Sequence, residues 1–167
     1  MERFADRLDT INRAVGSAAR WLALLMVLVQ ICIVVARYVY GVSSIAVNES
    51  VLYMHATLFM LGAGYTLLVD GHVRVDIFHA RLSDRGKAAI DALGHLGLLI
   101  PSMLLLLWWS WPSVRNAMAI WEGPISVGGI RGVWYLKALI PAFCGLLIVQ
   151  SLACLMRALL RLREARP

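Results

Sequence analysis

Four long apolar runs, set apart by short polar segments, dominate the pattern of this chain. They occupy 18–36, 51–69, 90–111 and 133–156. The shortest, at about 19 residues, would rise ~28 Å as a helix, enough to cross the hydrocarbon of a bilayer. The pattern predicts an all-α membrane protein with four transmembrane helices, forming one membrane domain over 1–167. A cleaved signal peptide does not fit the first run. It ends in Val34-Val35-Ala36-Arg37, a poor small-x-small site, and it follows three acids among four arginines.

The connections carry patterns of their own. In 1–17, Phe4, Leu8, Ile11 and Val15 recur at helical spacing, with Arg3, Arg7, Asp9 and Arg13 elsewhere around the wheel. This predicts either a short amphipathic helix lying on the membrane surface or a direct extension of the first span. After the second span, Gly71 is expected to break the helix. Val75, Phe78 and Leu82 then form an apolar stripe, with Arg74 and Arg81 directed to headgroups. An interfacial amphipathic helix over 73–82 is expected, stopping near Ser83, which can cap the next helix. The segment from Trp121 to Gly129 holds too many breakers for a helix, so a turn-rich loop is expected there. That loop is either a contact surface or a mere connector.

Charge sets the orientation. Arg3, Arg7, Arg13 and Arg20 precede the first span; Arg74, Arg81, Arg85 and Lys87 lie between the second and third. Arg157, Arg161, Arg163 and Arg166 follow the fourth, in the tail 157–167. The other two connections and adjoining span ends hold only Arg37, Arg115, Arg131 and Lys137. By the positive-inside rule both termini face the cytoplasm. Tyr38, Tyr40, Tyr53, Trp108, Trp109, Trp111, Trp134 and Tyr135 then fall at outer span ends, where amphipathic rings prefer to sit. Trp108 and Trp109, with Arg74, Phe78, Arg81 and Leu82, are the expected lipid-interface anchors.

Composition agrees: 60% of the 167 residues are hydrophobic and 16% charged, with a mean hydropathy of +0.74. A soluble domain of this size needs more polar surface. The formal charge of +6 does not indicate nucleic acid, because the basic residues sit in short clusters between apolar runs. Such clusters orient a membrane chain and meet anionic lipid. Cys32, Cys144 and Cys154 lie inside apolar runs without CxxC spacing, and read as small packing residues.

Little in the spans carries chemistry. His55 and His95 would sit about nine residues apart in depth, ~13 Å, too far to share one haem iron. No cofactor is therefore expected. Asn48, His55, Gly62 and Thr66, at offsets of 7, 7 and 4, share one face of the second span. That face is either a polar path or a helix-packing surface, with Gly62, Ala63 and Gly64 allowing close approach. Glu49 and Lys137 lie at similar height and can form an ionic pair, or Lys137 can snorkel to the interface; Asp91 and His95, at i, i+4, can hydrogen-bond. Pro101 and Pro141 predict kinks. No acid or base lies at mid-depth, and no nucleophile elbow, phosphate loop or metal-ligand cluster is present. This pattern points to an accessory subunit. The rival from the residues alone is a homodimeric four-helix exporter using Glu49 as its membrane acid.

Several segments together resemble the small permease subunit of tripartite ATP-independent periplasmic (TRAP) transporters, the DctQ type. Arg37-Tyr38-Val39-Tyr40-Gly41 is similar to that family's RYVFG. Ser44-Ile45-Ala46-Val47-Asn48-Glu49 matches its SI-x-W-x-E in part, with Val47 for the tryptophan and Ser50 where a second glutamate is common. Gly62-Ala63 and Asp70-Gly71-His72-Val73-Arg74-Val75-Asp76 are similar to its GA run and GxHIxVD motif. Trp134-Tyr135-Leu136-Lys137-Ala138-Leu139-Ile140-Pro141 resembles the start of its last helix. The resemblance covers roughly 18–160. It implies a non-catalytic subunit in the bacterial inner membrane, bracing a large permease that imports an organic acid with sodium. It also implies a periplasmic substrate-binding protein as partner. Arg37, Glu49, Lys137 and the loop around Trp121 would then face the delivery side.

Overall fold

Ala5, Asp9, Asn12, Gly16 and Ala19 follow one another at steps of four and three, the spacing of a helix seam that faces a partner. All five are buried. They lie on α1 (Glu2–Tyr40), a single helix of 39 residues in this computed structural model, which describes residues 2–72, 82–124 and 126–164. At 1.5 Å per residue α1 is ~58 Å long, well beyond a bilayer of ~40–45 Å with headgroups. The N-terminal segment is thus an extension of the first span and not a separate helix on the membrane surface. Phe4 and Ile11, on the apolar stripe, stay 57% and 46% exposed, because the small and polar seam on the other side allows closer helix packing.

Gly41, at φ +66, ends α1, with the Val42 N–H bonded to the Ala36 carbonyl. After Ser44 in extended conformation, α2 runs Ile45–Leu68. It stops at a Schellman turn: Gly71 N–H reaches the Thr66 carbonyl at 2.8 Å and Asp70 N–H the Leu67 carbonyl at 3.3 Å. Asp70, at φ +58, takes the left-handed position. Gly71, the expected breaker, is one residue past it.

The expected interfacial helix over 73–82, including Arg74, Phe78 and Arg81, lies outside the described residues apart from Leu82, which is half-buried. Ser83 caps the next helix as its sequence suggests, its Oγ accepting from Gly86 N–H at 3.3 Å. That helix, α3 (Asp84–Ala119), changes to a π turn over His95–Leu99. Pro101 comes two residues after the turn's last residue, Leu99. With no N–H and a ring that crowds the preceding turn, it disturbs the ladder there, which accounts for the π turn. α3 ends at a second Schellman turn with Trp121 at φ +47. The last helix, α4 (Val133–Glu164), runs unbroken through Pro141.

All four helices are long and apolar enough to cross a membrane. Their roles differ. α4 packs against α1, α2 and α3; α1 packs against α2 and α4; α3 rests mainly on α4. A third of the apolar window of α4 is buried (33%), against 6% in α1 and α2 and none in α3. The described surface is 11245 Å², where a compact soluble protein of 18.5 kDa exposes ~8,200 Å². The excess belongs to apolar helix faces open to lipid or protein. Trp108 and Trp109, on α3, are 79% and 76% exposed.

Candidate scaffold sites at the two ends of the bundle

At the end carrying both termini, α1 meets α4 through a polar lock. Gln150 and Arg157 are seven residues apart and share a face of α4. Opposite them on α1 stand Asp9 and Asn12, themselves i, i+3. Arg157 donates to both oxygens of Asp9 and, at 3.1 Å, to Asp6 Oδ1. Gln150 Nε2 donates to Asp9 Oδ1 at 3.0 Å, while Gln150 Oε1 accepts from Asn12 Nδ2 at 3.0 Å. Asn12, Gln150 and Ser151 are wholly buried. Such a buried polar chain fixes helix register more firmly than apolar packing, because sliding by one turn would strand a buried charge.

Glycines let the helices close around this lock. A side chain at Gly64 of α2 would meet Asn12 Oδ1 at 2.0 Å, and one at Gly16 would meet Tyr65 at 2.5 Å. Asn12 Oδ1 has no hydrogen-bond partner among the described residues and lies against the backbone of Gly64. A weak Cα–H···O contact is what that geometry provides. Nearby, His95 at the start of the π turn meets Ser151 Oγ at 3.0 Å, joining α3 to α4.

The opposite end is tied down by its loop. Glu49, near the start of α2, accepts from Ile130 N–H at 2.8 Å and fills the space beside Gly129. Tyr53, one turn on, donates to the Ile130 carbonyl at 3.4 Å and stacks on Tyr135 with ring centroids 6.4 Å apart. Thr57 meets the Tyr135 hydroxyl at 2.9 Å. Lys137 pairs with Glu122 at 2.6 Å, and Trp121 packs edge-on to Trp134 at 5.1 Å. The loop is therefore clamped to α2 through Glu49 and Tyr53, and to α4 through Glu122 and Trp121.

The profile of the family described as tripartite ATP-independent periplasmic transporters, DctQ component, matches residues 12–161. The chain belongs to that family. With four membrane-capable helices, this DctQ component is a multi-pass membrane protein, the small permease subunit of a TRAP transporter. No curated protein and no solved structure matches it. The family match takes in Asn12, Gln150 and Arg157 of the polar lock and starts just after Asp6 and Asp9.

Within this DctQ component the residues singled out from sequence are placed as follows. Asn48, His55, Gly62 and Thr66 do lie along one side of α2, facing the grooves beside α1. Asn48 donates to the Ser44 carbonyl and Thr66 to the Gly62 carbonyl, so both serve their own helix. His55 is exposed and stacks on Phe59. Close helix approach occurs at Gly64; nothing lies within 4 Å of a side chain added at Gly62. Glu49 and Lys137 do not pair with each other, since each is taken by the loop. Arg37 is exposed, with no ion pair among the described residues. The lock residues went unrecognised. Their signal was the seam of small and polar positions on α1, matched by two polar residues seven apart on α4.

Proposed function

We propose that this chain braces the static scaffold of a large TRAP permease that imports an organic acid with sodium, the acid being delivered by a periplasmic substrate-binding protein. The reading places it in the bacterial inner membrane with both termini cytoplasmic, anchored at the lipid interface through 73–82. It is a non-catalytic role. One observation carries it: Asp9, Arg157, Glu49, Glu122 and Lys137 bond helix to helix or loop to helix, while broad apolar faces on α1 and α3 stay open. A brace needs internal rigidity and external adhesive surface, and the chain has both.

The exporter reading requires Glu49 as a titratable carboxylate in a transport path. Here that carboxylate holds the Ile130 N–H, so a structural role is favoured. Sodium-driven uptake by the large permease in proteoliposomes, with and without this chain, tests the proposal. Uptake should fall several-fold without it; unchanged uptake rejects the bracing role. Transport by this chain alone that is lost in Glu49→Gln would establish the exporter instead.

A further inference from the structure

A crevice of about 790 Å³ opens between α1 and α2, towards the end of the bundle that carries the termini. Its deeper wall is apolar, formed by Leu58, Phe59 and the bare backbone of Gly62. Phe59 is 68% exposed, and a side chain on Gly62 would meet no atom within 4 Å. The mouth is different. Arg13 and Arg20, seven residues apart and so on one face of α1, line it together with Ser17 and His72.

Neither arginine makes an ion pair among the described residues. The nearby acids are directed elsewhere. Asp6 and Asp9 bond Arg157, and Asp70 lines a separate cleft on the other side of α2, shared with α3 and α4. Two cations with no ion pair among the described residues, set above an apolar hollow at the depth where a span meets headgroups, describe an amphiphile with an anionic head. A free phosphate would satisfy the mouth but leave the hollow bare. A zwitterionic lipid would fill the hollow while bringing a cation to the arginines.

We propose that this crevice holds one anionic phospholipid of the adjacent leaflet, its phosphate between Arg13 and Arg20 and an acyl chain along Phe59 over Gly62. The inference is independent of the bracing role, because it requires only that α1 and α2 cross a membrane.

The test uses the full chain in a neutral detergent, with retained lipid read by native mass spectrometry. Phosphatidylglycerol should be retained about tenfold or more over phosphatidylcholine, the arginines contributing about fivefold each. R13Q/R20Q should abolish the preference, whereas R161Q/R163Q on the far helix should keep it. Gly62→Leu, which fits the open space, should displace the acyl chain and reduce retention of both lipids while leaving the melting temperature unchanged. Equal retention of the two lipids would overturn the proposal, as would a preference that survives R13Q/R20Q. So would inorganic phosphate stabilising the chain as much as phosphatidylglycerol does.

Discussion

Asp9 shows how much one side chain holds together here. Its carboxylate accepts from Gln150 and Arg157 in a site where it is only 6% exposed. Removing it leaves a guanidinium and an amide short of acceptors, a loss of about 2–3 kcal/mol. Asp9→Ala should therefore lower the melting temperature in detergent by about 5 °C or more, and Arg157→Gln should do much the same. Their double variant should be less than additive, since both remove one interaction. Gly64 is the second such position. A valine there would press on Asn12 Oδ1 and, at 3.2 Å, on Leu146, costing about 1–3 kcal/mol. Gly64→Val should destabilise measurably, where the neighbouring glycine at 62 accepts a large residue. In sequence the two glycines look alike. Only the course of α1 distinguishes them, and single-helix periodicity carries no information about which neighbour comes near.

For the helices, hydrophobic runs were enough to find all four, because lipid forces every backbone group into intrahelical bonds and leaves few alternatives. The cap at Ser83 was equally legible. What ran beyond the runs was not. α1 continues through 2–17 because Asp9 and Asn12 find partners on α4, over 130 residues away in sequence. Local amphipathicity marked the outward stripe of Phe4 and Ile11 and gave no sign of the seam that packs inward. If the extension is held by this lock, its amides near Asp9 and Asn12 should exchange slowly in hydrogen-exchange mass spectrometry. In Asp9→Ala those amides should exchange at least tenfold faster, while amides near Ile33 stay protected. Equal protection in both proteins would mean that packing of Ala5, Gly16 and Ala19 suffices. At the loop end, Glu49→Gln weakens the acceptor for Ile130 N–H, and the loop should become easier to cleave by protease without loss of the four helices.

Taken whole, the molecule is an open arrangement in which α4 touches every other span and α3 rests mainly on it. The family match and the four helices fix its class; the side on which its ends lie is an expectation from the arginine distribution and is open to direct test. With the native cysteines replaced, a cysteine at exposed Ser126 should react with an impermeant maleimide on intact cells, and one at exposed Thr10 only after permeabilisation. The opposite pattern would invert the topology. The central place of α4 also bears on biogenesis. A ribosome delivers α1, α2 and α3 to the translocon before the segment that joins them exists. The first two can pair as they emerge, but the third finds little to pack on until α4 arrives. Slower insertion of the fourth span should therefore leave that intermediate unpacked for longer.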